Sequence, residues 1–132
     1  MSTPSGVIRA TKTFWGPEGA YHVAYLEKLS TTTWLYSPML AADVTSITYT
    51  IYLDGVQNST GSIPTSKVFT PAVTSADILD DNDNPMTINF GYLFGVASFP
   101  SLGTYKIDVL CTLTSGEKLH VEGEAIQRGV TT

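Results

Sequence analysis

The chain has 132 residues, of which 42% are hydrophobic and 14% charged, with a net charge of −5. This length suits one domain with a real core, and the low charge excludes an intrinsically disordered chain. The 7 Lys and Arg residues are scattered, which excludes the clustered basic patch of a nucleic-acid binder, and no apolar run nears the roughly 20 residues of a membrane-spanning helix.

The first residues, Met1 to Gly6, carry neither a basic region nor an apolar stretch, so no secretory signal is read there, and synthesis in a cytoplasm, or removal of a signal, is expected. Val7 to Trp15 reads as a strand, closed by Gly16-Pro17-Glu18-Gly19, whose Pro and Gly suit a type I turn. The apolar spacing of Ala20 to Leu29 fits a helical turn as well as a strand, and the strand is preferred. Thr31 to Tyr36 is a further strand candidate.

Thr45 to Leu53, TSITYTIYL, alternates Ile47, Tyr49, Ile51 and Leu53 with Thr48, Thr50 and Tyr52. Side chains on a strand point to opposite faces in turn, so this is a half-buried strand. Asp54-Gly55 then turns the chain into a polar return strand, Val56 to Ile63. Ala72 to Leu79 is a short strand or a turn, and Thr87 to Val96 is an apolar strand.

The C-terminal third predicts a hairpin. Tyr105, Ile107, Val109, Cys111 and Leu113 share one face of the first strand, with Lys106, Asp108 and Thr112 on the other. Thr114 to Glu117 makes the turn. Leu119, Val121 and Ala125 face inward on the return strand, and His120, Glu122 and Glu124 face outward. Tyr105 follows Leu102-Gly103 at a strand start, the place of a tyrosine corner, whose hydroxyl bonds back to upstream backbone. The lone Cys111 excludes an internal disulfide and reads as a small buried hydrophobe.

Short strands separated by turns define an all-β chain, an immunoglobulin-like antiparallel β-sandwich. A seven-strand sandwich needs roughly 100 residues. Residues 1–35 are therefore expected as an N-terminal arm or extra hairpin, ahead of a sandwich over residues 36–132. Under that division a chain beginning near Thr31 is expected to fold alone.

Two patterns raise the question of metal binding. Asp80, Asp81, Asn82, Asp83 and Asn84, followed by Pro85, resemble the calcium-holding linkers of cadherins. Asx side chains also bond to nearby backbone, and Pro85 bars Asn84 from the helical region, so a turn between strands explains the same residues without an ion. His120, Glu122 and Glu124 alternate on one strand face as metal ligands do, yet the outward face of a hairpin is ordinarily solvated and polar. No nucleophile elbow, phosphate loop, HExxH or paired-cysteine motif is present, so the chain is read as a non-enzyme with no cofactor. Trp15, Tyr21, Tyr25, Trp34 and Tyr36 are the residue types enriched in interface cores and are the expected contact residues.

LAADVTSITYTIYLDG (Leu40 to Gly55) and GYLFGVASFPSLGTYKIDVLCTLTSGEKLHVEGEA (Gly91 to Ala125) together resemble small immunoglobulin-like virion structural proteins of tailed bacteriophages. Leu93 stands where such proteins usually have Asn. The resemblance implies a capsid decoration (cement) protein or a neck or tail component. It would be located in the virion as a homo-oligomer and would bind other virion proteins, the major capsid protein first. A calcium-dependent adhesion or carbohydrate-binding module is the alternative.

Overall fold

A computed structural model describes residues 6–80 and 82–128. Among them nine strands form two antiparallel sheets. They are β1 (Gly6–Gly16), β2 (Gly19–Leu29), β3 (Tyr36–Pro38), β4 (Val44–Leu53), β5 (Val56–Ile63), β6 (Val68–Leu79), β7 (Pro85–Gly95), β8 (Gly103–Leu113) and β9 (Lys118–Gln127). The first sheet runs β1-β2-β7-β6, with the short β3 also paired to β2, and the second runs β5-β4-β8-β9.

This is the immunoglobulin arrangement, with strands A, B, E and D in one sheet and C′, C, F and G in the other. β1 and β2 are its A and B strands. The expected boundary at residue 35 is therefore not a boundary in the fold. β2 lies between β1 and β7 and contributes Ala20, Ala24 and Leu26 to the core. Residues 6–29 are a hairpin of the sandwich itself and not an arm, and a chain begun at Thr31 would lack both strands.

The core lies between the sheets. Ile47 and Ile51 of β4, Tyr105, Ile107, Val109 and Cys111 of β8, and Val121 of β9 face Leu26, Phe90 and Phe94. Aromatic edges organise both ends of this core. Phe94 meets Tyr49 at 5.0 Å and Tyr92 at 4.9 Å, and Phe99 meets Tyr105 at 5.0 Å. Such edge-to-face pairs each add about 0.5–1.5 kcal/mol beyond burial. The Tyr105 hydroxyl donates to the Ser101 carbonyl at 2.7 Å and accepts from the Ser101 N–H at 2.9 Å. This is the tyrosine corner expected at the start of strand F.

A second cluster forms around Val23, Met86 and Ile88, with Ala10, Phe14, Phe69 and Ile78 packed against it. Lys12 donates to the Leu79 carbonyl at 2.7 Å and so ties β1 to the far end of β6.

Where β7 leaves β2, the buried Asn89 amide stands in for backbone. Its Oδ1 accepts from Leu26 N at 2.8 Å, and its Nδ2 donates to Leu26 O at 2.7 Å and Met39 O at 3.3 Å.

The sheets meet along one side, where β1 packs against β9. His22 sits in this seam, fully buried. Its Nε2 lies 3.2 Å from the Val121 carbonyl. A carbonyl only accepts, so Nε2 carries the proton. Nδ1 then accepts from the Thr13 hydroxyl at 2.7 Å. A Cβ at Gly123 would stand 2.5 Å from His22 Cε1 and 2.7 Å from Nδ1, so this glycine makes the space for the ring.

Candidate interaction surface

The loop after β2 groups several exposed large apolar side chains. Ser30 shapes it: its hydroxyl accepts from the N–H groups of Thr32 and Thr33, each at 3.3 Å, and its carbonyl accepts from Trp34 N at 2.8 Å. This wraps residues 31–33 into a turn, not the strand expected from Thr31, and only Tyr36–Pro38 pairs as a strand. Trp34 is left at φ 58°, a left-handed conformation that is unfavourable for a bulky side chain. Trp34 is 68% exposed, beside Leu35 at 67%, Tyr36 at 42% and Leu40 at 40%.

Beneath this patch the polar contacts are ordered. Arg9 stacks 4.4 Å above the Tyr36 ring and pairs with Glu27 at 2.6 Å. The hydrogen bond to Glu27 raises the guanidinium pKa further. Burial, then the Glu27 charge, also raises the Tyr25 hydroxyl, which lies 3.4 Å from Glu27 Oε2. Lys28 pairs with Asp43 at 2.9 Å, and with Ser30, Leu113 and Thr114 they line a cleft flanking the loop.

The five expected contact residues separate into two groups. Tyr25, Trp34 and Tyr36 belong to the loop end. Trp15 and Tyr21 lie at the β1–β2 turn, where they line a shallow groove with Phe14, Pro17 and Leu93. Trp15 rests edge-on against Phe99 at 5.4 Å. Tyr21 and Leu29, the residue paired with Tyr36, are eight positions apart on β2, roughly 27 Å along a strand. One flat partner site does not hold both groups at close quarters. Leu35 and Leu93, both exposed, extend the two patches and are not among the contact residues expected from the sequence, because nothing in it tells an exposed Leu from a core one.

The two metal-like patterns come out differently. In the turn over residues 80–84, Asp80 Oδ1 accepts from Asn82 N at 2.9 Å and Asn84 N at 3.0 Å, and Asp80 N donates to Asn84 O at 2.8 Å. Asp83 takes φ 63°. Asp80 thus serves the backbone as an Asx turn. Asp81 lies outside the described residues. On β9, His120 and Glu122 come together with Asp108 of β8, while Glu124 stands opposite Lys106.

These features define an immunoglobulin-like sandwich with two exposed aromatic patches. No family model and no curated protein matches the chain. Among solved structures, a protein from Archaeoglobus fulgidus known by its crystal structure is similar at 14% identity and a TM-score of 0.42, over 94% of this chain and 100% of that one.

Proposed function

We propose that this chain is a structural protein of a tailed-phage virion, a capsid decoration (cement) protein that adds contacts between capsomers. A neck or tail position is the second placement. The observation that carries the reading is the exposure of Trp34, Leu35, Tyr36 and Leu40 on the loop after β2 and on and beyond the short β3. Exposed large apolar side chains close together in the chain suit a protein contact site, and Trp and Tyr are the side chains that dominate binding energy at such sites. The resemblance of Leu40 to Gly55 and Gly91 to Ala125 to phage proteins supports the placement in a virion. The net charge of −5 suits an outer shell held away from packaged DNA.

The test uses the full chain, since the N-terminal hairpin belongs to the sandwich. Protein is mixed with particles lacking it, and binding and heat resistance are measured. Wild type is expected to bind and to raise heat resistance, and Trp34→Ala and Tyr36→Ala to bind at least about tenfold more weakly, as interface anchors do. A protein that stays monomeric and associates with no capsid, neck or tail sinks the reading. Calcium-dependent binding to glycans instead would put an adhesion module in its place.

A further inference from the structure

We propose that Asp108, His120 and Glu122 form a binding site for a divalent metal ion of the zinc class on the outer face of the second sheet. The register of β8 and β9 sets Asp108 directly opposite Glu122 and Leu110 opposite His120. Two carboxylates are therefore neighbours across the strands, an arrangement that costs stability unless positive charge lies between them. His120 Nδ1 is 3.0 Å from Asp108 Oδ1, on the diagonal. Lys106 reaches Glu122 only at 3.6 Å, longer than the roughly 2.7–2.9 Å of a tight charge-assisted bond. Among the described residues the Glu122 carboxylate thus has only this long, exposed pair to exchange for a stronger partner.

One ligand atom from each of the three residues lies within 4.8 Å of the others. Zinc binds nitrogen and oxygen at about 2.0–2.2 Å, so tetrahedral ligands stand roughly 3.4 Å apart. Side-chain rotation closes that gap, because the side chains of His120 and Glu122 are each 56% exposed while their backbones are fixed in the ladder. The ion would replace the His120–Asp108 hydrogen bond and the loose Lys106 contact, and water would complete the fourth position. Two carboxylates balance its charge. An imidazole with only two carboxylates is a poor set for calcium, which takes six to eight oxygens, and a good one for zinc and its neighbours. Among the described residues no other such trio of His, Cys, Asp or Glu comes together.

The test is calorimetric titration of tag-free protein with zinc chloride, supported by the visible spectrum of the cobalt(II) form. One ion per chain is expected. Affinity should fall by about tenfold or more in His120→Ala and in Asp108→Asn, since even the outer partners of ligands cost that much. Glu124→Gln should bind as wild type does, and calcium should give no signal. All three substitutions are on a solvent-facing surface, and far-UV circular dichroism checks that each variant is folded. Absence of binding at millimolar zinc overturns the proposal, as does binding that survives His120→Ala unchanged.

Discussion

Tyr105 joins the hydrogen-bonding of a loop to the packing of the core. Its ring is fully buried and its hydroxyl holds both backbone groups of Ser101. Tyr105→Phe keeps the ring and strips those bonds, so a loss of about 1 kcal/mol is expected in urea unfolding. Tyr105→Ala also opens a cavity and should cost about 3–5 kcal/mol. Equal midpoints for the two variants would show that the ring adds nothing. His22 gives the fold a pH dependence. Burial holds its imidazole below the ordinary 6.5, against the Val121 and Lys12 carbonyls, which favour the charged form. As pH falls through about 6.5 the unfolded chain takes up this proton and the folded one does not. Stability present at pH 7.5 should therefore decline towards pH 5.5, and less steeply in His22→Gln. Parallel profiles for the two proteins would remove His22 as the source.

Asn89 and the turn at Asp80 fix how individual strands begin and end. Asn89→Leu leaves the N–H and C=O of Leu26 buried without the amide that serves them. Each orphaned group costs about 1–3 kcal/mol, so a fall in the denaturation midpoint is expected, against little change for an exposed substitution such as Thr48→Ala. Asp80→Ala removes the two bonds of the Asx turn and should cost about 1 kcal/mol, comparable to loss of a helix cap. Calcium should leave the melting temperature of wild type and variant alike unmoved, whereas a rise in wild type alone would reassign the turn as an ion site. Strands of this kind differ in how readily they are read from sequence. β4, β8 and β9 each bury one face, so their alternation was plain. β2 buries both: Ala20, Ala24 and Leu26 face the main core, and Val23 the second cluster, which erases the period of two, so its spacing fits a helical turn as well as the strand preferred for it. The first four residues of β6, Val68 to Pro71, carry no strand signal, because this is an edge strand interrupted by Pro71, a residue confined to such edges and to bulges. Of the candidate sites, the outward face of His120 and Glu122 was legible from alternation. Which residue of β8 completes it depends on a cross-strand register that one strand alone does not specify.

At the scale of the whole molecule, the buried Cys111 reports on opening. Burial pushes its thiol up to about 12, and only the thiolate reacts at a useful rate. Labelling by a thiol reagent in native buffer should therefore follow global unfolding, and should slow in proportion to any stabilising substitution; fast labelling independent of stability would reveal a local breach of the second sheet. The seam between β1 and β9 has a mechanical consequence. Gly6 N donates to the carboxylate of Glu117, the residue just before β9, at 2.8 Å, and Thr13 lies against Gly123 further along, so the two strands run side by side in the same direction. β1 thus begins at Gly6 at one end, and β9 ends at Gln127, which reaches the Phe99 carbonyl at the other end of the sandwich. Ten strand residues separate these ends by roughly 33 Å. Tension between Gly6 and Gln127 pulls along the strands, so the rungs of each ladder share it in shear and do not peel apart one at a time. A single molecule stretched from these two points should resist until it gives way in one abrupt step, and Gly123→Ala, by forcing His22 out of the seam, should lower the force at which it does.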